Sequence, residues 1–298
     1  MLKPLTPSTS PIGRPRGFAG LALAPLLAMT ACAPIQALNA LEPKGGVEIA
    51  RNISYGPDPR QALDVYSPRR PSPGAPIVVF FYGGSWDSGR RQDYQFVGAA
   101  LASHGYVTVI PDYRLYPQVR WPVFLEDNAL AVRWARDHAV GLGGDPRRLV
   151  LMGHSAGAYN AAMLAVDERW LGKVGLSPGK DVRAMVGLAG PYDFLPLHSE
   201  ELKTIFGPPE QRPDTQPINH VQAGTPPMWL GTDEQDKVVD PGNTTRMAAA
   251  VKAKGGQAET RVYPGLSHAL IIGTLATPLR WLAPTFRDVT HFIDTQAK

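Results

Sequence analysis

Gly153-His154-Ser155-Ala156-Gly157 sets one serine between two glycines. The apolar run Arg148–Met152 enters it and the alanine-rich run 156–162 leaves it, so the serine falls on a strand-to-helix turn. Flanking glycines permit a sharp bend that lifts the hydroxyl above the sheet and aims it at the N-terminus of the following helix. Free amides and the positive helix end would meet an anion forming there. The setting is that of a nucleophilic serine; a glycine-flanked helix cap is the alternative.

A serine hydroxyl attacks at neutral pH only when an imidazole takes its proton and a carboxylate holds that imidazole in the right tautomer. Seven histidines compete for the role. His268 lies in a glycine-containing loop, Tyr263 to Ala269, directly after the last β-rich run. That is where the base belongs in the chain order serine, acid, histidine. His138 and His291 fall on helical segments, His154 sits inside the turn itself, and His104, His198 and His220 lack the post-strand setting. The acid is expected in the loop from Gly231 to Asp240, where Asp233, Glu234, Asp236 and Asp240 crowd together. The residues alone do not choose among them.

Near-continuous apolar runs at Pro76–Tyr82, Tyr106–Pro111, Arg148–Gly153, Ala184–Leu188, Pro227–Gly231 and Glu259–Tyr263 predict strands, mostly buried on both faces. Helical spacing over Asp93–Ser103, Pro122–His138, Ala156–Val166, Gly242–Lys254 and Thr277–Phe292 alternates with them, the pattern of a parallel α/β sheet. Val47–Tyr55 and Gln61–Tyr66 predict two antiparallel opening strands. Tyr192–Thr225, rich in proline and polar residues, predicts a small cap or lid.

The formal charge of +4 is carried almost wholly by Lys3, Arg14 and Arg16; beyond residue 31 there are 27 bases against 26 acids. Without a basic stripe, nucleic acid is excluded as a partner. No histidine pair or cysteine cluster has ligand spacing, so no metal or organic cofactor is implied. The basic start and the apolar run Phe18 to Met29 predict a targeting segment over residues 1–31. Leu26 to Ala31 leading to Cys32, the only cysteine, resembles the lipobox of bacterial lipoproteins. That resemblance implies export, lipidation of Cys32 and, with Ala33 following, a lipid-anchored outer-membrane address; ordinary secretory cleavage is the alternative. Residues 32–46 are expected to be a tether and 47–298 the catalytic domain.

Tyr82-Gly83-Gly84-Ser85-Trp86, after a strand, resembles the HGGG-type loop of lipases and esterases, with tyrosine in place of histidine. This implies Gly83, Gly84 and Ala156 as oxyanion donors. Leu63-Asp64-Val65-Tyr66, Asp112 to Pro117 and Gly143 to Arg147 extend the likeness from about Gln61 to His268. Together these motifs resemble the α/β-hydrolase superfamily, within its feruloyl-esterase-like, arylformamidase-like and prenylcysteine-methylesterase-like carboxylesterases. The resemblance implies an α/β-hydrolase fold, a mostly parallel sheet of about eight strands flanked by helices. It favours Asp236 as the acid, because Asp236-Lys237-Val238-Val239 fits a D-x-x-V pattern, and it implies ester hydrolysis through an acyl-enzyme on Ser155. Amide or formamide hydrolysis by the same residues is the nearest rival, and a non-catalytic surface binding protein on this fold is a more distant one.

Overall fold

The computed structural model describes residues 35–70 and 72–298; residues 1–31, expected to be a targeting segment, and Cys32 lie outside them. Eight strands form one sheet in the order β1-β2-β4-β3-β5-β6-β7-β8. These are β1 (Val47–Ser54), β2 (Ala62–Pro68), β3 (Ala75–Phe81), β4 (Val107–Pro111), β5 (Gly144–His154), β6 (Ala184–Leu188), β7 (Met228–Asp233) and β8 (Ala258–Tyr263). β1 and β2 run antiparallel to their neighbours, and β4 through β8 pair in parallel. This is the α/β-hydrolase architecture.

Composition explains the layering. Every residue of β3, β4 and β6 is buried, as central strands covered on both faces must be. The edge strands β1 and β8 are largely exposed and carry Glu48, Arg51, Glu259 and Arg261 at exposed positions. The chain moves one way from β3 to β4 and the other from β4 to β5. With right-handed crossovers, that reversal puts α2 (Gln95–His104) on one face, and α3 (Val123–His138), α4 (Ala156–Val166) and α8 (Gly242–Ala253) on the other. α10 (Thr285–Gln296) joins α2, since Asp294 accepts from the Tyr106 hydroxyl at 2.8 Å and lies 3.3 Å from His104.

Two segments differ from expectation. The last helix begins at Thr285, and Thr277–Leu279 is a separate 3-10 turn. Pro284 accounts for this, because a proline inside the helix would lose a hydrogen bond and clash with the preceding turn. Residues 35–41, expected within the tether, form a helix, α1, packed on the domain. Asn39 donates to the carbonyls of Gln92 and Asp93 at 3.0 and 3.1 Å and accepts from the Phe96 amide at 2.9 Å. The buried Glu42 carboxylate accepts from the Thr277 amide and hydroxyl at 2.6 and 3.0 Å. Among the described residues no helix is long and apolar enough to cross a membrane.

The cap is short: α7 (Glu200–Ile205) and two 3-10 turns, Arg212–Thr215 and Pro217–His220. An aromatic cluster seats it, with Phe194 and Phe206 against Trp86 and Tyr159 at ring separations of 4.7 to 6.2 Å. Tyr159 ties it to α4 by donating to the Thr215 carbonyl at 2.7 Å.

Candidate active site

The loops after β3, β5, β7 and β8 meet at the carboxyl ends of the strands, where α/β sheets bind ligands. Ser155 sits between β5 and α4 with φ 55° and ψ −125°, a conformation that a non-glycine residue adopts only under constraint. Part of that constraint is the hydrogen bond from its amide to the Leu188 carbonyl at 2.8 Å. Close packing under the turn supplies the rest: a Cβ on Gly157 would run into the Phe81 and Tyr82 carbonyls. Gly157→Ala is therefore expected to destabilise the domain by about 1–3 kcal/mol or more, measured by urea unfolding against the parent.

His268 follows β8. Its Nε2 lies 2.8 Å from Ser155 Oγ and its Nδ1 lies 2.7 Å from Asp236 Oδ2. Asp236 has a fully buried side chain, and its Oδ1 accepts from the amides of Val238 and Val239 at 2.8 and 3.0 Å. Those two amides fix the carboxylate in the orientation that faces the imidazole. Asp233, also fully buried, is turned elsewhere: it accepts from the amides of Gln235 and Leu266, both at 3.2 Å, and so bolts the loop after β7 to the one after β8. The geometry thus brings Ser155, His268 and Asp236 together and leaves Asp233 outside the relay.

His154 has a place that its motif position did not foretell. Its Nε2 donates to the His268 main-chain carbonyl at 2.8 Å, linking the serine turn to the histidine loop. Complete burial, with the nearby His268 adding to it, pushes its pKa down to about 3. The unfolded chain therefore binds a proton below about pH 6.5 that the folded chain refuses. Stability from this group is complete above that pH and falls as pH drops toward 3, by up to about 1.4 kcal/mol per pH unit. Substituting His154→Gln is expected to flatten the pH dependence of unfolding free energy between pH 6.5 and 4; an unchanged slope would mean that His154 is protonated in the fold.

Of the expected oxyanion donors, Ala156 lines the cleft beside Ser155, as do Ser85 and Trp86 of the loop after β3. Gly83 lies against the serine turn. A Cβ on Gly83 would sit 2.9 Å from the Ser155 Cβ, so glycine there serves close approach of the loop to the serine. The loop itself has positive φ at Gly84 (127°), Ser85 (50°) and Trp86 (63°). Trp86 is 3% exposed; its indole N–H donates to Asn160 Oδ1 at 3.0 Å while its ring also walls the cleft.

The cleft has a volume of about 510 Å³. Trp86, Phe194, Leu195, Leu197, Leu202 and Val239 make an apolar wall. At its rim Arg246 joins the cap to the loop after β7, with Nε 2.6 Å from Asp193 Oδ2 and Nη1 3.0 Å from Asp240 Oδ2. Among the described residues no cluster of three or more His, Cys, Asp or Glu is placed to hold a metal ion.

A family model described as BD-FAE matches residues 63–251, from β2 into α8. The chain belongs to the BD-FAE family. Besides that match, this BD-FAE chain is 29% identical over 266 residues to esterase LipC of Mycobacterium tuberculosis, covering 81% of itself and 65% of LipC. To the isoprenylcysteine alpha-carbonyl methylesterase ICME of Arabidopsis thaliana it is 28% identical over 253 residues, covering 78% of itself and 59% of that protein. It thus spans between about half and two thirds of the length of these curated relatives. Among solved structures, esterase B of Lactobacillus rhamnosis superposes with a TM-score of 0.76 at 21% identity, over 91% of this chain and 92% of that one, a likeness of fold. Thermogutta terrifontis esterase 2 superposes with a TM-score of 0.62 at 26% identity, over 77% and 87%. In BD-FAE terms the match takes in the serine turn, the loop after β3 and Asp236, while His268 lies beyond its end.

Proposed function

We propose that this protein hydrolyses carboxylic esters through an acyl-enzyme on Ser155. His268 takes the serine proton as Oγ attacks the ester carbonyl, and Asp236 holds the imidazole and stabilises its charged form. Amides of Gly84, Ser85 and Ala156 receive the oxyanion. His268 then returns the proton to the departing alcohol, and water, activated by the same imidazole, releases the acid and restores the serine. The observation that carries this reading is the continuous relay Ser155–His268–Asp236, with contacts of 2.8 and 2.7 Å, at the floor of an apolar cleft. The esterase names of its relatives support the choice of ester as substrate class.

A panel of p-nitrophenyl esters beside N-formylkynurenine and simple anilides tests it. Turnover of esters with little or none of the amides is expected; a preference for the formamide would overturn the choice of bond. We further propose export and acylation at Cys32, on the lipobox-like run before it. Radiolabelled palmitate should enter the full-length chain in a bacterial host and fail to enter Cys32→Ala.

A further inference from the structure

The turn between β1 and β2 reaches across to the loop that follows β3. Arg60 lies in that turn, half-buried, and its guanidinium meets three acceptors. Nε donates to the Tyr113 carbonyl at 2.7 Å, while Nη2 donates to the Tyr82 hydroxyl at 3.0 Å and to the Gly89 carbonyl at 2.7 Å. Tyr82 and Gly89 are the two feet of the segment that carries Gly83, Gly84, Ser85 and Trp86. One side chain therefore joins both feet to each other and to the end of β4.

The segment depends on outside support. Ser85 and Trp86 hold positive φ without being glycines, a backbone that persists only where the surroundings impose it. Its crown is fixed from above, by the Trp86 indole on Asn160 and by the Tyr116 amide donating to the Trp86 carbonyl at 2.8 Å. Its base rests on a buried polar ring. Tyr82 donates to Asp112 Oδ1 at 2.8 Å, the Tyr113 hydroxyl donates to the Tyr82 carbonyl at 2.8 Å, and Arg91 pairs with Asp112 and, at 2.9 Å, with Asp64. Burial holds the Tyr82 phenol protonated, so it donates to Asp112 while accepting from Arg60. Among the described side chains of this ring, Arg60 is the one that hydrogen-bonds the far foot, at the Gly89 carbonyl, while the Tyr82 ring packs against Gly89 from the other foot.

We propose that Arg60 is a positioning residue of the oxyanion loop: by bridging Tyr82 and Gly89 it holds the amides of Gly84 and Ser85 within reach of the anion formed at Ser155. This rests on the reading of Ser155 as nucleophile. A planar guanidinium is needed because its donors point in fixed, divergent directions, whereas a lysine ammonium on the same stem is a compact point charge without that fork.

The test uses the full chain and p-nitrophenyl butyrate. Arg60→Ala is expected to lower kcat about 100-fold, the scale of a lost oxyanion donor, with KM within threefold of the parent. Guanidinium chloride at tens of millimolar should restore at least tenfold of the lost rate in Arg60→Ala and nothing in Arg60→Lys. Fluorophosphonate labelling of Ser155 should slow in step with kcat, because the phosphoryl oxygen uses the same amides. Should Arg60→Ala fail to fold, Arg60→Lys carries the test, with a kcat loss of about tenfold at constant KM. A folded Arg60→Ala with kcat within threefold of the parent, a loss borne by KM instead, or an absence of rescue would overturn the proposal. A parent chain without esterase turnover, or undiminished turnover in Ser155→Ala, would instead overturn the reading beneath it, and the two failures are told apart by these controls.

Discussion

Ser155→Ala should lower kcat on short p-nitrophenyl esters by about 10⁵- to 10⁶-fold, with the melting temperature little changed. The expectation follows from the geometry of the turn. Ser155 Oγ is the atom placed 2.8 Å from the His268 imidazole, and removing it leaves nothing there to form the acyl bond. Alanine keeps the backbone at φ 55° at a similar cost, so the fold should tolerate the change while the chemistry does not. What rate remains would come from the oxyanion amides acting on water. Mass spectrometry after fluorophosphonate treatment gives the second readout: one adduct on the parent, none on the variant. Retained turnover would place the nucleophile elsewhere.

The second large effect separates two neighbouring carboxylates. Asp236→Asn is expected to cost about 10⁴-fold in kcat, because an amide at 2.7 Å from His268 Nδ1 can present its own N–H and turn the ring to the wrong tautomer. Asp233→Asn should cost less than about tenfold in kcat yet destabilise the fold by about 1–3 kcal/mol, through weakened acceptance by a buried side chain from the Gln235 and Leu266 amides. Measuring both variants for kcat and for urea unfolding checks the pair. A larger kcat loss in Asp233→Asn would transfer the role to that residue.

These two aspartates also mark how far the chain could be read unaided. The buried strands were legible because β3, β4 and β6 are runs of apolar residues long enough for a strand and too short for a helix. Ser155 and His268 were legible because each follows a strand in the required order. Asp233 and Asp236 both lie at the end of β7, and local pattern does not say which carboxylate turns toward the imidazole. The Val238 and Val239 amides that decide it belong to the folded loop. Gly83, Gly84 and Ala156 were expected as donors from motif position; what the fold adds is that glycine at 83 lets the loop approach the serine turn closely. His154 and Arg60 escaped notice for a related reason, since each acts on main-chain carbonyls distant in sequence, and a carbonyl leaves no signature in residue type.

Helix α1 changes what an anchor at Cys32 would mean. With residues 35–41 bound to the domain through Asn39, and Glu42 just beyond, the described fold begins three residues after that cysteine. Fully extended, that span is about 10 Å, far less than a free fifteen-residue leash would allow. An acylated chain would keep the α1 end of its domain close to the bilayer. Its cleft would then stay within the width of the domain from the lipid, and esters held at that surface would be met more often than those dissolved in the bulk.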